Sequence, residues 1–146
     1  MTRDPVFLAY TLTVVVHTFN LLVLWHLSSF ARVKTRSTMN PEDAATIARG
    51  AQVVTTDPPE VARMLRVHRN TFDNTIPFLL LALLFVSLRP DLLEAQILLG
   101  TFTVARIVFS ITYVAGLQPW RTISYVIGSV TTVVLMFEVC RLAFFA

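Results

Sequence analysis

Apolar positions in this chain gather into four long runs separated by polar or charged connections. Residues 5–31 contain no Asp, Glu, Lys or Arg, and about 20 apolar residues are enough for a helix to span a bilayer. This run is too long and too aromatic for the apolar core of a signal peptide. A second run, FLLLALLFVSL (residues 78–88), follows without a break from the charged stretch EVARMLRVHRNTFDNTIP (residues 60–77). The pattern predicts helices over residues 5–31, 60–88, 92–115 and 119–144. It also predicts a short helix after the first, where Asn40 caps, Pro41 takes the first helical position, and Glu42 and Asp43 complement the dipole. The segment after this short helix reads as loop up to Asp57, Pro58 and Pro59. Pro77 leaves the carbonyl of Asp73 without its helical partner and predicts an interruption there. Residues 89–91 read as a tight turn. In GLQPWR (residues 116–121), Gly116 stops the third long helix and Pro119 opens the fourth.

Composition agrees with an all-α, integral membrane four-helix bundle, one domain over residues 1–146. The chain is 55% hydrophobic and 14% charged, against about 25% charged in soluble domains. The basic residues Arg32, Lys34, Arg36, Arg49, Arg63, Arg66 and Arg69 cluster between the first two apolar runs. By the positive-inside rule this connection is cytoplasmic, and four spans put both chain ends on the other side. A nucleic-acid partner is not expected, because these residues are interleaved with apolar spans and no recognition motif accompanies them. No metal site is expected. The single Cys140 excludes an internal disulfide and is expected as a buried small residue. The connection over residues 37–59 is long for a compact bundle, which suggests that it covers something.

The polar residues left in the apolar helices carry the candidate chemistry. Arg66, Arg69, Asn70, Asp73 and Pro77 are spaced i, i+3, i+4, i+7 and i+11, so they form one stripe of a helix. Arg106 shares a face with Tyr113, with Phe109 and Ser110 between, and Arg121 shares one with Tyr125 and Gly128. Charges at membrane depth are costly unless paired, so Asp73, Arg106 and Arg121 are expected to face the protein interior. Arg106 has structural alternatives: pairing with Asp73, or capping carbonyls at a helix end. His17, Asn20 and His26 are expected to bond neighbouring helices, with a proton or ligand contact as the alternative. Arg32, Arg66, Arg69, Arg106 and Arg121 outnumber Asp73, a balance that suits an anionic ligand. Arg121 and Thr122 open the last helix, where free amides and the dipole favour an anion. A thiol held there, with an ordinary pKa of about 8.5, would be acidified as a thiol cosubstrate requires.

NPEDA (residues 40–44), Asp57, EVARMLRVHRN (residues 60–70), TIPF (residues 75–78), AR (residues 105–106), TY (residues 112–113) and QPWR (residues 118–121) together resemble the MAPEG family. These are membrane-associated proteins of eicosanoid and glutathione metabolism, and the motif order holds across nearly the whole chain. The likeness is strongest to the family's microsomal glutathione transferases and prostaglandin E synthases. The resemblance implies a homotrimer of four-helix subunits in a lipid bilayer, with the cosubstrate glutathione bound between neighbours at the cytoplasmic side. By position, it implies glutathione contacts at Arg32, Arg69, Asn70, Asp73, Tyr113, Arg121, Thr122 and Tyr125. Arginines would take the two glutathione carboxylates, Asp73 its ammonium, and Arg121 its thiolate.

Catalytic roles are implied for Arg121 and Thr122. Asp43 resembles an acid proposed to work with the last-helix arginine in the prostaglandin synthases; a plain helix N-terminal charge is the alternative. The chain departs from the family pattern in having Asp73 for glutamate, Phe109 for histidine, and Thr122 for the synthases' serine. The implied activity is conjugation of glutathione to, or reduction with glutathione of, a hydrophobic electrophile or lipid peroxide. A non-catalytic lipid-binding or scaffold member of the same fold is the alternative. A proton-coupled exporter with Asp73 as carrier is weaker, since the arginine excess would hold Asp73 ionised.

Overall fold

Asp4 starts the first long helix: its side chain accepts a bond from the Val6 amide at 2.9 Å, and Pro5 fills the first helical position. The computed structural model describes residues 4–145. Its elements are α1 (Pro5–Thr35), β1 (Ser37–Thr38), α2 (Pro41–Ala45), β2 (Gln52–Val53), α3 (Pro59–Ser87), α4 (Leu92–Ala115) and α5 (Trp120–Phe144). α1 runs on past residue 31 to Thr35, because Arg32 and Lys34 suit the negative end of its dipole and Arg36 closes it in the left-handed region at φ 47°. Asp91 caps α4 by accepting from the amides of Leu93 and Glu94, and Gly116 ends it at φ 74°.

Three local expectations are corrected. α3 is one continuous helix through Pro77 rather than an interrupted one. Thr75 and Phe78, fully buried on either side of the proline, hold the backbone in place while one ladder bond is lost. The stretch after α2 is not simply loop: β2 pairs in parallel with β1, Ser37 opposite Gln52 and Thr38 opposite Val53. That pairing gives partners to the main chain around the buried Ser37 and Thr38. Asn40 stands at the cap position of α2 without capping it, since its Nδ2 donates instead to Asp43 Oδ2 at 3.0 Å.

α1, α3, α4 and α5 are each long and apolar enough to cross a membrane. α4 touches each of the other three, whereas α1 and α5 lie on opposite flanks and do not meet. One apolar cluster includes Phe78, Ala82, Phe85, Leu99 and Phe102, with the Phe78 and Phe102 rings stacked at 3.5 Å. Another gathers Leu24, Val67 and Phe109. Along α1, α3 and α4 the buried residues between the two clusters include the polar side chains of His17, Asn20, Thr71, Thr75 and Arg106. Asn20 Nδ2 donates to Ser110 Oγ at 3.0 Å, the interhelical bond expected of it. His17 packs against the Phe102 ring of α4 without a hydrogen-bond partner, and His26 bonds only Leu22 O of its own helix, so neither makes the interhelical hydrogen bond expected of it. Phe19, Leu80, Val104, Val130 and Phe137 leave large apolar side chains outward, as lipid-facing helices do. Cys140 is on this outer surface of α5, which corrects its expected burial.

Candidate functional site

The alternating course of the long helices brings the ends of α1 and α4 and the starts of α3 and α5 to one end of the bundle. Arg32 Nη1 meets Asp57 Oδ1 at 2.7 Å there, and Lys34 Nζ meets Glu60 Oε2 at 3.1 Å. Gly116, at the end of α4, is so close to α3 that an added Cβ would stand 3.0 Å from Arg63 Nη1.

Arg121 lies in the first turn of α5. Its guanidinium carbon is 4.8 Å from the centre of the Tyr113 ring. The Gln118 carboxamide, oriented to satisfy both neighbours, accepts from Arg121 Nη2 at 2.6 Å and Nε at 3.1 Å and donates to Thr122 Oγ1 at 3.0 Å. The expectation of free amides in this turn is corrected. The Arg121 amide bonds Leu117 O at 3.3 Å, and those of Thr122 and Ile123 bond Pro119 O at 2.9 and 3.1 Å, because the preceding turn folds its carbonyls back onto them. Attraction for an anion therefore rests on the Arg121 side chain, the Thr122 hydroxyl and the helix dipole.

Aromatic rings carry this group inward. Phe109 meets Tyr113 edge-on at 5.4 Å and Tyr125 at 6.0 Å. Phe109, which stands where the family pattern has histidine, supplies a ring face to Arg106, whose guanidinium carbon lies 4.3 Å from its centre. Arg106 is only 1% exposed. Its Nη2 donates to both Asn70 O at 3.2 Å and Asn70 Oδ1 at 3.1 Å. Neither structural alternative expected for Arg106 is found: it makes no pair with Asp73 among the described residues, and the carbonyl it bonds belongs to Asn70 in the middle of α3 rather than to a helix end.

Asp73 does not face the interior of its own chain, which corrects that expectation. Its Oδ2 is 3.8 Å from Arg69 Nε, and the two side chains are 59% and 86% exposed. The polar stripe of α3 divides because Asn70 sits beside the buried Thr71, whereas Arg66, Arg69 and Asp73 fall on the outward side. Asp43 is held within its own segment, by Asn40 and by Thr38 Oγ1 at 3.5 Å. It makes no ion pair with Arg121 within one chain among the described residues. Thus Tyr113, Arg121, Thr122 and Tyr125 come together, with Asn70 joined to them through Arg106 and Phe109. Arg32, Asp43, Arg69 and Asp73 occupy other faces. Gln118 and Asp57 emerge as partners of Arg121 and Arg32, although both already stood inside the motif segments of the sequence.

This architecture defines a membrane four-helix bundle with a cationic, hydroxyl-bearing cluster at one end. The model of the MAPEG family matches residues 10–140, and the chain belongs to that family. It is 30% identical over 142 residues to microsomal glutathione S-transferase 1 of Rattus norvegicus, covering 94% of this chain and 91% of the relative. It is 32% identical over 118 residues to the Bos taurus protein of the same name, covering 78% and 76%. Prostaglandin E synthase of Equus caballus is 30% identical over 125 residues, covering 85% and 78%. At the level of the family, these relatives support a glutathione-dependent membrane enzyme.

Proposed function

We propose that the protein conjugates glutathione to hydrophobic electrophiles taken from the bilayer, or reduces lipid peroxides with it, and that Arg121 holds the glutathione thiolate. The observation that carries this reading is the arrangement of Arg121 at the start of α5. It is stacked on Tyr113 and braced by Gln118, which also holds the Thr122 hydroxyl. A cation fixed at a helix N-terminus lowers the pKa of a neighbouring thiol and so raises its nucleophilic fraction. Asn70, Tyr113 and Tyr125 would contact the peptide with Arg121. The outward Arg69 and Asp73, and Arg32 on α1, would complete the site from the faces that meet a neighbouring copy in a homotrimer, with Asp43 covering it. An apolar groove of about 500 Å³ between α4 and α5, lined by Val104, Val108, Trp120, Ile123 and Ile127, adjoins the turn that carries Arg121 and suits a hydrophobic cosubstrate. The basic end of the bundle would face the cytoplasm.

The test is glutathione binding by calorimetry, together with turnover of chlorodinitrobenzene and a lipid hydroperoxide by the purified protein in detergent or nanodiscs. Saturable binding and glutathione-dependent turnover are expected. Neither binding nor activity across a broad electrophile panel would overturn the reading and leave a lipid-binding or scaffold role.

A further inference from the structure

Arg106 is a charged side chain buried in the membrane part of the bundle, and it makes no ion pair with a carboxylate among the described residues. Burial of an unpaired charge is costly, so its retention requires an account. Its Nε and Nη1 are buried without a hydrogen-bond partner among the described residues, so the account lies in Nη2 and the guanidinium plane. A single nitrogen, Nη2, grips both oxygens of Asn70, while the guanidinium plane rests on Phe109. Phe109 in turn touches Tyr113 and Tyr125, and Tyr113 carries Arg121. On the other side, Gly128 of α5 makes room for the stem: a Cβ there would lie 3.2 Å from Arg106 Cδ. Asn70, Tyr113, Tyr125 and Arg121 stand on three different helices, and Arg106 with its ring is what they share.

The grip also fixes chemistry. An amide whose oxygen accepts from Arg106 must present its NH₂ away from it. Asn70 is thereby held as a donor, the polarity needed for a carboxylate. Left to rotate, the amide would offer its oxygen to the ligand in part of the population and repel it.

We infer that Arg106 is a positioning residue: without touching glutathione, it sets the Asn70 amide with its donor outward. The inference rests on the proposed glutathione site. It predicts that Arg106→Lys, which keeps the charge but loses the planar fork and the stacking, raises the Kd and KM for glutathione about tenfold, the size of one oriented charged hydrogen bond. kcat at saturating glutathione and the titration midpoint of the bound thiol should hold, since Arg121 is intact.

The decisive form is a double-mutant cycle in glutathione Kd. In an Asn70→Ala background the Arg106→Lys loss should shrink to less than about twofold, because the residue it acts through is gone. Losses that multiply independently, or an unchanged Kd in folded Arg106→Lys, would overturn the inference. Should Arg106→Lys fail to fold, Gly128→Ala serves in its place. It crowds Arg106 Cδ without altering any proposed ligand contact, and its loss of affinity should likewise vanish in Asn70→Ala. A parent protein that binds no glutathione defeats the functional reading itself, whereas a binding parent with independent losses defeats only the role of Arg106.

Discussion

The Arg121 guanidinium lies over the Tyr113 ring, its central carbon 4.8 Å from the ring centre. A cation that approaches α4 through a ring face keeps its N–H edge free for Gln118 and for an anion. The ring therefore orients the charge without neutralising it, as a carboxylate would. Tyr113→Phe preserves the face and should leave the thiol pKa of bound glutathione unchanged, while any contact of the phenol with the peptide is lost as affinity. Tyr113→Leu removes the face, worth about 0.5–1 kcal/mol at a partly exposed site, and should lower both affinity and thiolate fraction two- to fivefold by the same estimate. Thiol titration together with calorimetry separates the two variants.

Gln118 is a neutral partner of Arg121, and its neutrality matters. In Gln118→Glu the new carboxylate would compete with the thiolate for the same guanidinium. The thiol pKa should rise, activity at neutral pH should fall, and raising the pH should recover part of it. A pH–rate profile of the variant against the parent reads this directly. An unshifted profile would mean that Gln118 does not tune Arg121.

Asp73 gives a prediction in which stability and function part company. Its pair with Arg69 is long and exposed, so Asp73→Asn should change thermal stability by no more than about 0.5 kcal/mol. If the carboxylate holds the glutathione ammonium, affinity should nevertheless fall by about tenfold or more, since a charge-assisted bond is lost. A Kd unchanged by the substitution would remove Asp73 from the site.

Arg32 and Asp57 join the last turn of α1 to the residues just before α3, at 2.7 Å and with both side chains mostly shielded. Asp57→Ala should destabilise the protein by about 1–2 kcal/mol and loosen the connection over residues 36–58. Faster proteolysis within that segment, with the four long helices intact, is the expected signature.

The long helices were legible because apolar runs bounded by Pro, Gly and Asp write both their length and their ends into the sequence. The ends of α4 were read to the residue. Pro77 misled because the penalty of a lost ladder bond is local, whereas the packing of Thr75 and Phe78 that maintains α3 is tertiary. The paired strands β1 and β2 have only two residues each, too few for any alternation to show. In the site, periodicity placed Arg121, Tyr125 and Gly128 on one face, but it could not show that Asn70 turns inward while Arg69 and Asp73 turn outward. That division depends on which neighbouring helix lies against α3. Gln118 could not be singled out, because a neutral amide carries no charge pattern and its role appears only when the turn folds it beside Arg121.

The central claim is that Arg121 holds glutathione as a thiolate, and absorbance at about 240 nm, titrated against pH with bound glutathione, tests it most directly. In the parent protein the midpoint should lie well below the ordinary thiol value of about 8.5. Arg121→Ala should return it towards that value, leaving only about 3% thiolate at neutral pH, while binding persists through Asn70, Arg69 and the other contacts. Activity of the variant should climb again at alkaline pH. If Arg121→Ala binds glutathione and titrates with the same midpoint as the parent, Arg121 is a binding residue only and another group activates the thiol.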